Sequence, residues 1–273
     1  MTSEFPLKIT NKSAFSLVEL SIVLVIIGFI TGGILGSMEL VRTARLRAQI
    51  SQIDSYQTAL GMFQYKYDAI PGDIKATKAA DFGFTSRTGA ADHGDGDGKV
   101  TNVCCFYIGI ESVLFWKDLA ESGLIAGGFG STTEAVITAA DGEAIALYLP
   151  KGKMKGNFVE ALYTMGATYG TLYANVFLLV GDSAVAAGSR TASNRITPQD
   201  AFYIDSKMDD GRPQAGFVRA NIGSGWTPLP GANAPAAPAS GVCVSNATGT
   251  PYNTASTTGG KYESCYLSFE FAS

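Results

Sequence analysis

The sequence contains little from which a catalytic centre could be built. It has one histidine, His93, in 273 residues, which leaves almost no material for histidine-based acid–base catalysis or a zinc site. It also lacks a Gly-x-Ser-x-Gly elbow and a phosphate-binding Gly-Lys loop. Pairs of carboxylates occur, but any acidic surface offers them. We therefore predict that the chain is not an enzyme, and a membrane-anchored exported enzyme has no motif in its favour.

Charge is also scarce and is not basic overall. Charged residues make up 16% of the chain, and the formal net charge is −4. This balance argues against a general nucleic-acid binder. The nineteen residues from Leu20 to Met38 contain no charged residue at all. A membrane-spanning helix needs about 20 apolar residues, so the sequence predicts one transmembrane helix near the N-terminus.

The apolar run begins in an unusual way. A polar leader with Lys8 and Lys12 precedes it, and Glu19 lies in its opening turn. A carboxylate in a bilayer-length helix is costly and usually has a partner. In an ordinary secretory signal, a small-residue cleavage site follows the apolar region. Here the small residue, Ala14, comes before it, so an ordinary signal peptide is not favoured.

The stretch Ala14-Phe15-Ser16-Leu17-Val18-Glu19-Leu20, followed by the aliphatic run, resembles the N-terminal signature of type IV pilins and pseudopilins. The resemblance implies cleavage between Ala14 and Phe15 by a prepilin peptidase, and N-methylation of the new Phe15 amine. The family nearly always has glycine before the cut, where this chain has Ala14.

In a filament of such helices, Glu19 of one subunit is expected to pair with the Phe15 ammonium of a neighbour and to fix the axial register. The alternative is a glutamate at the headgroup level with no partner. Gly28, Gly32 and Gly36 recur every four residues on one helix face, which allows helices to approach closely in lipid. The alternative reading is that glycine is simply common in membrane helices.

A polar but still helical segment follows the apolar run. An apolar stripe with helical spacing continues to Tyr67, and no proline interrupts it before Pro71. The sequence therefore predicts one helix from about Ser16 to Tyr67, with Gln49 and Gln52 among the polar residues opposite the stripe. The predicted domains are a leader (1–14), a transmembrane assembly helix (15–38), an amphipathic stem helix (39–68) and a globular head (69–273).

The head is predicted to combine helices with a sheet. A second amphipathic helix is expected over 111–125, with Trp116 as a core anchor. Strand-like segments occur at 143–149, 171–180, 201–204 and 266–271. The predicted fold class is α+β, with the long N-terminal helix packed on an antiparallel β-sheet head. The pilin resemblance implies the same architecture.

Two acidic segments are candidate cation sites. Asp92, Asp95 and Asp97 lie in a Gly-rich loop and offer carboxylate oxygens of the kind that bind calcium. The alternative is a solvated turn, in which His93 is an exposed loop residue. A second acidic group, at 205, 209 and 210, is either a cation site or an Asx-type turn.

Four cysteines fall into two pairs. Cys243 and Cys265 are predicted to form a disulfide that closes a loop with little core of its own, in a head that lies outside the cytoplasm. A C-terminal loop closed by two cysteines is also similar to the variable region of the pilin family. Cys104 and Cys105 are either buried small hydrophobic residues or a vicinal bridge.

The resemblance implies a structural function. The chain would lie in the bacterial inner membrane as a single-pass protein with its head outside the cytoplasm, and would then join a type IV pilus, a type II secretion pseudopilus or a DNA-uptake pilus, as a minor or specialised subunit. Its partners would be the prepilin peptidase and other pilin subunits, with nucleic acid only through a DNA-uptake pilus. Arg42, Arg45 and Arg47 oppose this orientation under the positive-inside rule. The alternative function is a membrane-anchored exported binding or adhesion module outside any filament.

Overall fold

The computed structural model describes ten segments of the chain. They are residues 16–89, 93–101, 110–130, 145–164, 174–186, 189–193, 196–220, 243–244, 251–254 and 265–271. The chain divides into two compact units, Met1–Ala44 and Arg45–Ser273.

Helix α1 spans Leu17–Tyr67, which is 51 residues, so the prediction of a single helix from about Ser16 to Tyr67 is confirmed. The helix ends at Tyr67, because the next residue, Asp68, adopts a positive φ of 46°. Pro71, three residues further on, also disfavours continuation of the helix. Within the unit that begins at Arg45, the predicted apolar stripe is buried along one face, and Ile53 and Phe63 are fully buried. The stripe therefore supplies one side of the core of that unit.

Two glutamines of α1 belong to the buried face. Gln49 is fully buried and Gln52 is nearly so. The Gln49 Oε1 atom accepts a hydrogen bond from the Lys153 backbone N–H at 2.7 Å. The Gln52 Nε2 group donates to the hydroxyl of Tyr56 and to the carbonyl of Lys151, both at 2.9 Å. The prediction that placed these glutamines opposite the packed stripe was wrong, because polarity alone does not reveal that a distant backbone segment satisfies them.

The strands in the described part of the chain form one antiparallel sheet. They are β1 (Asn157–Tyr163), β2 (Asn175–Ala186), β3 (Ser189–Ser193), β4 (Val218–Ala220) and β5 (Leu267–Glu270). The order is β1-β2-β5-β4, and β3 also pairs with β2. With α1 beside this sheet in the core of the second unit, the chain is of the α+β class. Strands β2 and β5 agree with the predicted segments 171–180 and 266–271.

Among the described residues, the other helices are α2 (Ala76–Asp81), α3 (Ile110–Glu121) and α4 (Pro198–Met208). Helix α3 matches the predicted second helix but ends earlier, because Gly123 adopts a φ of 73°. Trp116 is fully buried, and its ring centroid lies 4.8 Å from that of Tyr56 on α1. The prediction of Trp116 as a core anchor is therefore confirmed.

Two predicted strands were wrong. Residues 201–204 lie in α4, where the Oγ1 atom of Thr197 accepts a hydrogen bond from the Asp200 N–H at 3.1 Å and Pro198 occupies the first helical position. Residues 145–149 form a turn, in which the carbonyl of Ile145 accepts hydrogen bonds from Tyr148 and Leu149. A short apolar run fits the period of a helix as well as that of a strand, so the capping residues decide which of the two forms.

Candidate functional site

The apolar segment of α1 is suited to a membrane. Its most apolar window has a mean hydropathy of 2.4, and none of that window is buried. The aliphatic side chains from Leu17 to Ile30 are about half exposed or more. The hydroxyls of Ser21 and Thr31 donate to the carbonyls of Val18 and Ile27 within the helix, at 2.8 Å and 2.9 Å. The segment is therefore long and apolar enough to span a bilayer, and these two hydroxyls need no external partner.

Glu19 has a local role that the sequence analysis missed. Its Oε2 atom accepts a hydrogen bond from the backbone N–H of Ser16 at 2.9 Å. The Oγ atom of Ser16 accepts one from the N–H of Val18 at 3.3 Å. This reciprocal arrangement resembles a capping box, which satisfies N–H groups at the start of a helix. The Ser-x-x-Glu spacing was the signal that would have revealed it.

Two of the three glycines predicted for helix packing have open surroundings inside their own unit. A Cβ atom added at Gly28 or Gly32 would meet no atom within 4 Å. Gly36 lies in the helix, but its surroundings are outside the described part of the structure. No contact seen within the chain thus requires Gly28 or Gly32 to be small. The predicted cleavage residues, Ala14 and Phe15, also lie outside the described residues.

Three carboxylates meet in the head, and they are not the three predicted. Asp73, Asp95 and Glu111 bring ligand-type oxygens to within 4.8 Å of one another. Of the predicted trio, only Asp95 belongs to this group. Asp97 instead forms an ion pair with the Lys99 ammonium at 2.9 Å, and Asp92 lies outside the described residues.

The two buried members of this acidic cluster, Asp73 and Glu111, accept hydrogen bonds from backbone N–H groups of the Gly-rich loop. Asp73 Oδ1 accepts N–H groups from Gly96 and Asp97, at 2.7 Å and 3.2 Å, and its Oδ2 accepts that of Gly98 at 2.8 Å. Glu111 accepts the N–H groups of Gly94 at 2.8 Å and Thr101 at 2.7 Å. Each of these four carboxylate oxygens therefore already has a donor. No local pattern predicts this arrangement, because Asp73 and Glu111 are remote from the loop along the chain.

Burial changes the ionisation of both anchoring acids. Burial raises the pKa of Glu111 to about 8, against the lowering effect of the two backbone N–H groups, and the negative Asp73 and Asp95 raise it further. Burial likewise raises the pKa of Asp73 to about 6, against its hydrogen bonds from Gly98 and Gly96. The cluster can therefore hold a proton near neutral pH. It also offers oxygen atoms of the type that calcium prefers.

A buried ion pair fixes the loop next to the acidic cluster. The guanidinium of Arg87 donates to both oxygens of Asp118, at 3.0 Å and 2.6 Å, and both side chains are fully buried. Asp118 also accepts the N–H of Gly72 at 2.7 Å. Burial raises the pKa of Asp118, and Arg87 opposes this rise. The pair ties the segment before the loop to α3.

His93 is buried within the same loop. Its Nδ1 atom accepts the backbone N–H of Thr88 at 3.3 Å and also contacts the Thr88 hydroxyl. Burial, and then the positive Arg87, lower its pKa. The prediction of an exposed histidine was wrong, because the loop folds back on its own backbone and encloses the ring.

The second acidic group forms turns and a tyrosine contact. Asp210 accepts the N–H of Arg212 at 2.8 Å, which is an Asx-type turn. Asp209 accepts the N–H of Val218 at 3.0 Å. Asp205 accepts the hydroxyl of Tyr252 at 2.7 Å, and burial raises the pKa of this carboxyl to about 6. The three carboxylates also lie within 4.8 Å of one another, so both predicted alternatives remain compatible with their positions.

The Cys243–Cys265 disulfide predicted from the sequence is present, with its two Cα atoms 4.9 Å apart. It joins the segment before Tyr252 to the residues that lead into β5. The backbone N–H of Asn253 donates to the carbonyl of Cys243 at 2.9 Å. The other pair, Cys104 and Cys105, lies outside the described residues.

Comparison with known proteins gives no relative for this chain. No protein-family model, no curated protein and no solved structure matches it.

Proposed function

We propose that this chain is a pilin-like structural subunit. A prepilin peptidase would cleave it between Ala14 and Phe15 and methylate the Phe15 amine. The mature chain would wait in the bacterial inner membrane with its head outside the cytoplasm, and would assemble through α1 into a type IV pilus or a pseudopilus as a minor or specialised subunit. This proposal assigns the chain no catalytic role. The observation that carries it is the Ala14-Phe15-Ser16-Leu17-Val18-Glu19 sequence at the head of an apolar helix.

The state of the apolar segment supports this proposal. Its aliphatic side chains are exposed on all sides, and the open faces at Gly28 and Gly32 leave room for another helix to approach. A segment that served only as an anchor would need the same apolar length. The cap at Ser16 accounts for an acid in the first turn in either case, so Glu19 supports assembly only if its carboxylate also pairs with a neighbouring subunit.

The head supports the proposal less specifically. The resemblance implies an α+β unit with a disulfide near the C-terminus. In such a unit, the amphipathic part of a long helix packs beside an antiparallel sheet. The same head is compatible with an exported binding or adhesion module. The two functions differ in whether the chain assembles into a filament.

The first experiment tests processing. The full chain is co-expressed with a prepilin peptidase, and the N-terminus of the product is determined by mass spectrometry. We expect N-methylated Phe15 as the first residue. The matched control is Ala14→Gly, which restores the residue usual before the cut. If the control is cleaved and the natural chain is not, Ala14 blocks processing. If neither is cleaved, the proposed maturation is wrong.

The second experiment tests assembly through Glu19. We expect Glu19→Leu to insert into the membrane normally and to lose incorporation into filaments. Because this change also removes the hydrogen bond to the Ser16 N–H, Ser16→Ala serves as the control. It removes the other half of the cap and leaves the carboxylate in place. Equal loss in both variants would reduce Glu19 to a helix cap, and normal assembly of Glu19→Leu would exclude the proposed register role.

A further inference from the structure

Three Asp-Gly peptide bonds occur in the described part of the chain, at 95–96, 97–98 and 210–211. A fourth, at 141–142, lies outside it. An Asp-Gly bond is chemically reactive, because the glycine nitrogen can attack the side-chain carboxyl carbon of the preceding aspartate. Glycine has no Cβ atom to hinder this attack. The head therefore contains three candidate sites of spontaneous backbone modification.

The reaction is an isomerisation that needs only water. A bond forms between the glycine nitrogen and the carboxyl carbon, and the carboxyl hydroxyl leaves with the N–H proton as one water molecule. The product is a succinimide ring. Hydrolysis adds one water molecule, and when it breaks the original peptide bond, the backbone runs through the aspartate side chain. This product, isoaspartate, has the same mass as the starting chain.

Burial does not protect the three aspartates from this reaction. Asp97 and Asp210 are exposed, and Asp95 is partly exposed. Water can therefore reach the reacting groups, so any protection has to come from the way in which the loops are held.

A buried carboxylate holds both glycine nitrogens of the Gly-rich loop. The Gly96 N–H donates to Asp73 Oδ1 at 2.7 Å, and the Gly98 N–H donates to Asp73 Oδ2 at 2.8 Å. Asp73 itself is only 3% exposed. The attack requires close and aligned reacting atoms, and these bonds fix the orientation of both peptide groups. The negative charge of Asp73 also disfavours loss of the N–H proton.

The Asp210-Gly211 bond, which follows α4, has the same arrangement. The Gly211 N–H donates to Asp205 Oδ1 at 3.0 Å, and Asp205 is fully buried. Gly211 has a positive φ of 72°, close to the 75° of Gly96 and the 84° of Gly98. Two loops that are distant in sequence thus place the nitrogen of an Asp-Gly bond on a buried carboxylate.

The carboxylates that would be attacked are also engaged. Each accepts the N–H two residues later, as in an Asx turn. The donors are Asp97 to Asp95 at 3.1 Å, Lys99 to Asp97 at 2.9 Å and Arg212 to Asp210 at 2.8 Å. Each carboxylate is therefore bonded to an N–H other than the one that would have to attack it.

We propose that Asp73 and Asp205 protect these Asp-Gly bonds from isomerisation, and that Asp95, Asp97 and Asp210 are latent isoaspartate sites. Isoaspartate adds one carbon atom to the backbone, so a modified loop would no longer present its glycine N–H groups at the observed distances. Loss of protection would then release the loop from its buried anchor. This inference goes beyond the proposed function and depends on neither the membrane anchor nor filament assembly.

The first test needs no variant. The full-length chain in detergent is incubated at neutral pH, either folded or unfolded in guanidinium chloride. Peptide mapping with electron-transfer fragmentation, which distinguishes isoaspartate from aspartate, gives the rate at each bond. A hydrogen bond to a charged group is strong enough to change a rate about tenfold or more. We therefore expect all three bonds to react slower by this factor in the folded chain.

A variant of the first carboxylate separates local protection from the general stability of the fold. Asp73→Ala frees the nitrogens of Gly96 and Gly98, and we expect isomerisation at Asp95 and Asp97 to accelerate about tenfold or more. The rate at Asp210 should stay unchanged in the same molecule.

A variant of the second carboxylate should give the reverse result. Asp205→Ala should accelerate isomerisation at Asp210 and leave the Gly-rich loop unchanged. The matched control is Tyr252→Phe, which removes the hydroxyl that donates to Asp205 Oδ2 at 2.7 Å and retains the bond to Gly211. The control should keep the natural rate at Asp210.

Four results would overturn the proposal. Equal rates in the folded and unfolded chain would exclude protection by the structure. Acceleration at all three bonds in either variant, or at Asp210 in Tyr252→Phe, would assign the protection to the fold as a whole. Unchanged rates at Asp95 and Asp97 in Asp73→Ala would show that its hydrogen bonds are not needed. Slower reaction there would show that Asp73 acts as a base that promotes the attack.

Discussion

In the unit that ends at Ala44, the large aliphatic side chains between Leu17 and Ile30 are about half exposed or more, whereas in the unit that begins at Arg45 large apolar side chains such as Phe63 and Trp116 are fully buried. The same contrast holds for small residues. An added Cβ meets nothing at Gly32, but at Gly72 it would overlap the backbone carbonyl oxygen of Glu111. One helix, α1, contributes to both units. In the second unit the described core is therefore packed by the chain itself, whereas the aliphatic side chains of the first unit are not covered within that unit.

The largest expected effect comes from the buried ion pair of the second unit. Arg87→Met leaves the Asp118 carboxylate buried without its charged partner, and breaking such a pair costs about 3–5 kcal/mol. We expect this loss in the free energy of unfolding, measured by urea titration of the detergent-solubilised chain. The matched control is Lys78→Met, which breaks the exposed pair with Asp68 and should cost less than about 1 kcal/mol. Similar losses in both variants would contradict the role of the buried pair.

A glycine exchange compares the two units directly. Gly72→Ala forces a side chain onto a φ of +82° and against the carbonyl of Glu111, so we expect a loss of about 2–4 kcal/mol in unfolding free energy. Gly32→Ala should leave the stability of the head unchanged, because nothing lies within 4 Å. In the proposed filament the same change should reduce assembly. Destabilisation of the head by Gly32→Ala would contradict the separation of the two units.

The acidic cluster makes stability depend on pH. Because burial raises the pKa of Glu111 to about 8, its contribution is fully present below the pKa of the unfolded chain and is lost as the pH rises toward and through about 8. We expect the free energy of unfolding to fall by about 2 kcal/mol or more between pH 5 and pH 8. Urea titrations over this range measure the slope.

The control for the pH dependence is Glu111→Gln, which has no charge to gain and should reduce the slope between pH 5 and pH 8. A smaller slope should remain, because Asp73 and Asp205, each with a pKa raised to about 6, also lose protons in this range. The overall stability of Glu111→Gln should be lower, because glutamine has a donor NH2 group in place of one of the two oxygens that accept the Gly94 and Thr101 N–H groups. An unchanged slope would contradict the assignment to Glu111. A parallel series with calcium tests the cation prediction, since a bound ion should restore stability selectively at pH 8.

The smallest expected effect concerns the helix starts in the two units. Thr197→Ala removes the hydroxyl that accepts the Asp200 N–H at the start of α4 and should cost about 1 kcal/mol in unfolding free energy. Ser16→Ala removes the corresponding bond at the start of α1. We expect no change in the unfolding of the head from this second variant. A loss in both would show that unfolding of the head is coupled to the N-terminal cap.

The elements that could be predicted from the sequence are those with long periodic patterns. The apolar stripe that ends at Tyr67 predicted the bounds of α1 to within about one residue. The alternation of apolar and polar residues at 266–271 predicted β5. The features that could not be predicted depend on hydrogen bonds between distant segments. Gln49 is buried because Lys153 donates to it, and Glu111 belongs to the acidic cluster because the Gly-rich loop folds onto it. Such bonds leave no local pattern, so only the folded chain reveals them.

The cap formed by Ser16 and Glu19 has a consequence for the energetics of assembly. The Glu19 carboxylate already accepts the Ser16 N–H, so it has a hydrogen-bond partner before any neighbouring subunit binds. A carboxylate has two oxygens and accepts several hydrogen bonds, so in the proposed filament the Phe15 ammonium of a neighbour would bind Glu19 without displacing the Ser16 N–H. The cap would then hold the carboxylate at one height along the helix before a neighbour arrives. Less conformational entropy would be lost on pairing, and the axial register would be set by the capped geometry.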